Sequence, residues 1–325
     1  MRVLFLGTRR VIDPWFNDFV AAIGGRFQVD FYDPARPRSD QLRGVGVVVD
    51  HNPDLGTKEM IDAAANAGVK LWQIMSIGVD SRDVGYLLQK GIWVANIPGP
   101  VSCDVALAEH ALFLMLAVAK QYSACQRNLR SGIVNEPITG ELCGKTLGLV
   151  GLGASGRELA KRAWALGMRI LGIDVVEIPR DVCRELHVEF LGGPSMLDRL
   201  LADSDYLSIH VPLTRNTKHM IDRHAFDLMK ATAVVINVSR GGIIDEGALV
   251  EALRCRRIKG AGLDVFEEEP VNPTHPLLQQ DNVVATPHNA GCTWEASRKR
   301  GKAAAENVAR IAQGLGPLYQ ITVVT

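Results

Sequence analysis

Gly148-Leu149-Val150-Gly151-Leu152-Gly153-Ala154-Ser155-Gly156 is the stretch whose reading decides the fold of this 325-residue chain. An apolar strand runs straight into Gly151, Gly153 and Gly156, and an acidic residue, Asp174, follows roughly twenty residues later. Each glycine then has a physical task. Gly151 allows the tight turn out of the strand, Gly153 lets the backbone approach a pyrophosphate, and Gly156 lets the following helix pack closely on its strand. The helix start, at Ala154 and Ser155, offers unpaired N–H groups and a favourable dipole to two phosphates. The motif opens in the middle of the chain, so something else occupies the first part.

Downstream of the glycines the alternation of strand and helix continues. Strands are expected at Thr146–Gly151, Ile170–Ile173, Val188–Phe190, Tyr206–His210, Ala233–Asn237, Gly260–Leu263 and Val283–Ala285. Helices fit at Ser155–Leu166, Asp222–Leu228 and Glu246–Arg254, with Ser195 capping another over Met196–Leu201. Upstream, Val3–Leu6, Val29–Tyr32, Val45–Val49, Leu71–Met75 and Trp93–Ala95 read as short, wholly apolar strands of a parallel sheet covered on both faces. Helices are placed at Asp13–Ile23, Thr57–Ala67 and Val79–Gln89. Gly7-Thr8-Arg9-Arg10 follows the first strand but lacks the later glycines, so it makes a poor dinucleotide loop. Pro98-Gly99-Pro100 punctuates the chain as a hinge. One long helix is expected from Asp104 to Arg130, and a last one over Glu295–Gly314. The fold class is therefore α/β, with two doubly wound parallel-sheet units, one before the hinge and one after it, and a last helix that can return across the hinge to the first unit.

Composition narrows the function. Lys plus Arg and Asp plus Glu both number 36, so the formal net charge is zero, and no basic run suggests a nucleic-acid partner. The six cysteines lack any CxxC spacing and read as free thiols of a reducing, cytoplasmic compartment. The N-terminal apolar run is too short for a signal-peptide core. The longest apolar run, Ala106–Ala119, contains Glu109 and His110 and is too short to span a bilayer, so no membrane role is expected.

Asp174 stands just beyond the second strand of the nucleotide unit. A carboxylate there accepts hydrogen bonds from both ribose hydroxyls of NAD and repels the extra phosphate of NADP. Polar groups recur at the other strand ends, where doubly wound sheets meet their ligands. Arg240, in Asn237-Val238-Ser239-Arg240-Gly241-Gly242, has a guanidinium fork that matches a planar carboxylate and polarises a neighbouring carbonyl. His288, in Thr286-Pro287-His288, can exchange a proton near neutral pH, and a carboxylate behind it would orient its ring. Taken alone, Arg240 also reads as a solvated surface arginine and His288 as a structural histidine. Ser239 lacks the elbow glycines of a nucleophilic serine.

With these groups and Leu263-Asp264-Val265-Phe266-Glu267-Glu268-Glu269-Pro270 in place, the whole chain resembles the D-2-hydroxyacid dehydrogenase family. The other shared motifs are the glycine turn with Asp174, and His210-Val211-Pro212-Leu213-Thr214. The resemblance implies a flavodoxin-like substrate domain of residues 1–100 plus 291–325 and a Rossmann NAD domain of residues 101–290. It places the catalytic roles on Arg240, Glu269 and His288. It places the substrate carboxylate on the N–H groups of Ile77 and Gly78, in Ser76-Ile77-Gly78-Val79-Asp80, with Asn96 near the active cleft. Asp264 falls at a position that contacts the nicotinamide carboxamide. His210, Val211, Pro212, Thr214, Val238, Ser239, His288 and Ala290 fall along the cofactor. The implied reaction is reversible hydride transfer between NAD(H) and a small 2-hydroxy or 2-oxo acid. Arg240 holds the carboxylate and carbonyl, His288 moves the proton and Glu269 orients it. No metal is needed. A homodimer through the helix over 104–130 is also implied.

The chain departs from the family's phosphoglycerate branch at Val48-Val49-Asp50-His51-Asn52-Pro53, which holds no arginine to grip a phosphate. Asp50, His51 and Asn52 can instead meet a hydroxylated, uncharged tail such as that of glycerate or a sugar acid, or His51 only caps a turn. Trp294 either lines the substrate pocket or packs at the domain junction. Two other readings are an NAD-binding corepressor without turnover and a phosphite dehydrogenase.

Overall fold

Short runs of Val, Leu and Ile between turn residues make the strands of two separate sheets in the computed structural model, which describes residues 1–8 and 12–322. Arg9 and Arg10 of the first glycine-containing turn lie outside the described residues. The chain divides into one unit of Met1–Cys103 plus Cys292–Thr325 and another of Asp104–Gly291.

The first unit opens with β1 (Arg2–Leu6), α1 (Asn17–Ile23), β2 (Gln28–Phe31), α2 (Arg38–Leu42), β3 (Val45–Asp50), α3 (Lys58–Asn66), β4 (Leu71–Ile74), α4 (Val84–Gln89) and β5 (Trp93–Ala95). The five strands match expectation to within about a residue at each end, but two helices start late. Asp13 precedes Pro14 and is extended (φ −113°, ψ 126°), as a residue before proline prefers, so regular helix begins only at Asn17. Asp83 caps α4 by accepting the Tyr86 N–H at 3.0 Å, and the helix starts there rather than at Val79. The five-residue α2 was not foreseen.

The second unit contains α5 (Asp104–Ala119), α6 (Tyr122–Arg130), β6 (Thr146–Val150), α7 (Ala154–Ala165), β7 (Arg169–Ile173), α8 (Arg180–Glu185), β8 (Val188–Gly192), α9 (Leu197–Asp203), β9 (Tyr206–Ile209), α10 (Arg223–Leu228), β10 (Val234–Asn237), α11 (Glu246–Arg254), β11 (Gly260–Leu263) and β12 (Val283–Ala285). The long helix expected over 104–130 is two helices bent by 54°. Gln121 takes a left-handed conformation at the break (φ 48°) and donates its side-chain amide to the Ile138 carbonyl, while Lys120 Nζ donates to the Gly140 carbonyl. A returning segment therefore holds the kink, which no local pattern reveals. Ser195 does not cap α9; it sits inside a short turn, Pro194–Met196, that precedes it. The short α8 was not foreseen either.

All seven strands of this sheet are parallel, in the order β12-β11-β10-β9-β6-β7-β8. The reversal of order falls between β6 and β9, the switch point at which a doubly wound sheet receives its ligand. Helix α5 lies so near the sheet that a Cβ on Gly262 would stand 2.8 Å from Leu114 Cβ. The chain then returns to the first unit through α12 (Trp294–Ala312) and β13 (Gln320–Ile321). Strand β13 pairs antiparallel with β5, completing the order β13-β5-β4-β3-β1-β2. The parallel part of that sheet has the flavodoxin-like order 2-1-3-4-5. Helix α12 buries Ala304, Ala305, Val308 and Ile311 and packs along α1. No single helix among the described residues is long and apolar enough to cross a membrane.

Candidate active site

Loops at the C-terminal ends of six strands of the second sheet hold the nucleotide and chemical residues expected in this unit. At the turn from β6 to α7, Gly151 has φ 99°, and a Cβ there would sit 2.8 Å from the His210 carbonyl oxygen. A Cβ on Gly156 would land on the Gly151 carbonyl, so only glycine lets α7 approach β6 this closely. Gly153 differs: no protein atom lies within 4 Å of the place its Cβ would take. It is also the N-cap of α7 and makes no side-chain capping bond. Open space beside an uncapped helix start, with Ala154 and Ser155 in its first turn, fits a pyrophosphate. Asp174, directly after β7, accepts the Leu152 N–H at 2.7 Å and the Val176 N–H at 2.9 Å. These residues fit a bound dinucleotide.

His210, after β9, braces the glycine turn. Its Nδ1 lies 3.0 Å from Ser155 Oγ and its Nε2 lies 2.9 Å from Ser208 Oγ. Burial pushes its pKa down to about 4, so the ring is neutral at neutral pH. The following Val211-Pro212-Leu213-Thr214 loop is knitted by Thr217 Oγ1, which donates to the Pro212 carbonyl and accepts the Thr214 N–H. Ser239 Oγ donates to the Val211 carbonyl, joining this loop to the one after β10. Val238 and Ala290 point into the apolar core beneath.

The chemical groups converge next to it. Buried Asn237, the last residue of β10, accepts the Ser239 N–H and donates to the Arg240 carbonyl, which fixes the turn carrying Arg240. A Cβ on Gly241 would land on the Phe266 carbonyl carbon. This glycine therefore lets the Arg240 turn lie against the loop that carries Glu269. Glu269 accepts the Phe266 N–H at 3.0 Å with Oε1 and meets His288 Nδ1 at 2.6 Å with Oε2. Burial raises the Glu269 pKa, but the His288 hydrogen bond, the Phe266 N–H and the charges of His288 and Arg240 together bring it below the ordinary carboxyl value. His288 has φ 52°, a conformation that costs a non-glycine residue about 1 kcal/mol and persists where its surroundings enforce it. With Nδ1 engaged by Glu269, Nε2 is the ring nitrogen left to exchange a proton.

Asp264 is the residue that holds His288 in place. Its carbonyl accepts the His288 N–H at 2.7 Å, and its carboxylate accepts the Asn289 and Ala290 N–H groups, both at 2.9 Å. Thr286 Oγ1 donates to the same carboxylate at 2.6 Å, and His110 Nε2 lies 2.8 Å from that hydroxyl. The carboxylate is 1% exposed. His110 was not legible beforehand, because it acts on Thr286, 176 residues away. The Asn237 clamp was missed although it is local, an Asx turn onto Ser239 and Arg240.

In the first unit, Ser76, Ile77 and Gly78 follow β4, and Ser76 Oγ donates to the Gly78 carbonyl at 2.8 Å. Asn96 Nδ2 donates to the Ile77 carbonyl at 2.7 Å, so Asn96 shapes this loop. Trp294 opens α12 and is 57% exposed. Two expectations after β3 need correction. Asp50 is fully buried, accepts the Trp72 indole N–H at 2.9 Å and pairs with Arg82 at 3.4 Å, so it cannot meet a substrate tail. Asn52 caps the turn Pro53–Leu55 through the Asp54 N–H, so the capping role falls to it and not to His51. His51 packs against Trp15 and Phe5, and burial with the charges of Arg300 and Arg82 pushes its pKa down to about 4. Thus two guanidinium groups come near this loop from elsewhere in the chain, although residues 48–53 contain none.

Residues 112–290 match the family model described as D-isomer specific 2-hydroxyacid dehydrogenase, NAD binding domain. The chain belongs to this family. Among its relatives, the D-3-phosphoglycerate dehydrogenase of Archaeoglobus fulgidus is 40% identical over 259 residues, covering 79% of this chain and 47% of the relative. This chain thus spans about half the length of that dehydrogenase. The glyoxylate reductase of Thermofilum pendens is 42% identical over 266 residues, covering 80% of this chain and 76% of the reductase. The apo-structure of D-lactate dehydrogenase from Escherichia coli superimposes with a TM-score of 0.84 at 26% identity, over 99% of this chain and all of that one. The strand-end loops described above therefore occupy the family's NAD-binding domain.

Proposed function

We propose that this protein is an NAD-dependent D-2-hydroxyacid dehydrogenase that interconverts a small 2-hydroxy acid and its 2-oxo acid, with hydroxypyruvate, glyoxylate or a sugar-derived acid as the oxidised partner. The observation that carries the reading is the Glu269–His288 pair at 2.6 Å, beside an Arg240 turn that Gly241 allows to lie against it. NAD(H), when bound, supplies the hydride acceptor or donor. Every other task falls to side chains. Arg240 grips the carboxylate and polarises the carbonyl, stabilising negative charge as it develops on oxygen. Protonated His288 gives its proton from Nε2 to that oxygen during reduction and takes it back during oxidation. Glu269 holds and orients the ring through Nδ1. By family resemblance, the N–H groups of Ile77 and Gly78 take the acid's carboxylate; the exposure of Trp294 supports its reading as an apolar wall of the substrate pocket.

Asp174 supports NAD over NADP, since a carboxylate there repels a 2′-phosphate. A second substrate reading, 3-phosphoglycerate, is supported by the names of two relatives and by Arg82 and Arg300 near His51. Arg82 is already paired with Asp50, which weakens it. The test follows NADH and NADPH absorbance against glyoxylate, hydroxypyruvate, phosphohydroxypyruvate, pyruvate and sugar-derived 2-oxo acids. Turnover of one acid, lost in His288→Ala with NADH binding intact, is expected. NADH binding without turnover on any acid would overturn the enzyme reading and leave a binding protein.

A further inference from the structure

We propose that His110 is a positioning residue for the proton-transferring His288, acting through Thr286 and Asp264. The inference rests on the reading of His288 as proton donor but concerns His110, whose hydrogen-bond partner is Thr286. A threonine hydroxyl has one proton, and Thr286 gives it to Asp264 Oδ1 at 2.6 Å. The same oxygen must therefore accept from His110 Nε2, 2.8 Å away, which places the His110 proton on Nε2. Burial holds His110 below the ordinary histidine value, against the pull of Asp264, so the ring is neutral and has one N–H to give. With Thr286 locked in this rotamer, Asp264 receives a charge-assisted O–H bond and two peptide N–H bonds, from Asn289 and Ala290. The Asp264 carbonyl takes the His288 N–H at 2.7 Å. His288 is thus tied on both sides by one buried residue whose orientation Thr286 and His110 set. The anchoring matters because His288 sits at φ 52° and its segment has no regular structure to hold it.

The relay is tested with His110→Ala, His110→Gln and Thr286→Val in the full chain. Glutamine reaches with an amide N–H close to where the histidine Nε2–H lies. Expected are a kcat about tenfold lower in H110A and T286V, with KM for the 2-oxo acid and the NADH dissociation constant within about twofold of wild type. Recovery of most of the loss is expected in H110Q. The double variant H110A/T286V should be no slower than T286V alone, because the two residues act in series. Amide exchange at Asn289 and Ala290 should quicken in H110A and T286V. Unchanged kcat and exchange in H110A, or equal losses in kcat, KM and NADH affinity, or no recovery in H110Q, would each overturn the proposal. A wild type that turns over no acid would sink the dehydrogenase reading separately, and amide exchange would still decide whether His110 governs the His288 segment.

Discussion

Glu269 and His288 are nineteen positions apart and meet at 2.6 Å, so a change at either is felt at both. Glu269→Gln removes the carboxylate that orients the His288 ring through Nδ1, and kcat/KM for the 2-oxo acid should fall by roughly a hundredfold while NADH affinity changes little. The pair also contributes to stability with a definite sign. The Glu269 pKa is lowered in the folded protein, so this contribution is complete above the unfolded carboxyl value of 4.5 and is lost as pH falls through the lower folded value. The difference in Tm between wild type and E269Q should therefore shrink in that acid range. His51 and His210 act earlier. Both have pKa values depressed from 6.5 to about 4, so each favours folding above 6.5 and surrenders that stability between 6.5 and 4. The loss is on the order of 3 kcal/mol for each. His51→Phe keeps an aromatic ring between Trp15 and Phe5 and should flatten this part of the stability curve, measured by urea unfolding. An unaltered pH slope would show that His51 is not protonated in that range.

At the scale of elements, the β6–α7 turn separates two jobs that its glycines do. Gly156→Ala places a methyl group on the Gly151 carbonyl and should cost about 1–3 kcal/mol as α7 is pushed from its strand, with NADH affinity falling in parallel. Gly153→Ala meets no protein atom and keeps an ordinary φ of −70°, so Tm should hold while the NADH dissociation constant rises at least tenfold. Calorimetry and fluorescence titration on the same two variants check both statements. Equal NADH affinity in wild type and G153A would mean that the pyrophosphate does not use the open space beside Gly153. The elements themselves were largely readable. Apolar runs such as Val234–Asn237 and the Asp245–Arg254 segment carry their period and caps in the local sequence. The break at Gln121 was not readable, because its cause is a hydrogen bond to Ile138 seventeen residues away. Nor was β13, two residues long, which exists only because β5 offers it an edge.

At the scale of the whole molecule, the second unit exposes apolar side chains on α6 and the segment after it: Leu129 is 70% exposed, Val134 76% and Ile138 86%. Surface of this kind is expected to be covered by another chain. We propose a homodimer formed through the α5–α6 region, as the family resemblance implies. Sedimentation should give a dimer for wild type and a monomer for Leu129→Glu combined with Ile138→Glu; a wild-type monomer would refute it. The balance of 36 basic and 36 acidic residues adds no long-range repulsion between copies. Sequence by itself determined the two parallel-sheet α/β units, the dinucleotide turn, and the family resemblance that singled out Arg240, Glu269 and His288. Those features are written in local period and spacing, or in motifs only a few residues long. Tertiary structure alone decided that Asp50 is consumed by Trp72 and Arg82, that Asn52 and not His51 caps its turn, and that His110 reaches the His288 segment through Thr286 and Asp264. The physical reason is that a buried polar group must find its partners wherever the fold brings donors and acceptors together, and sequence distance does not measure that.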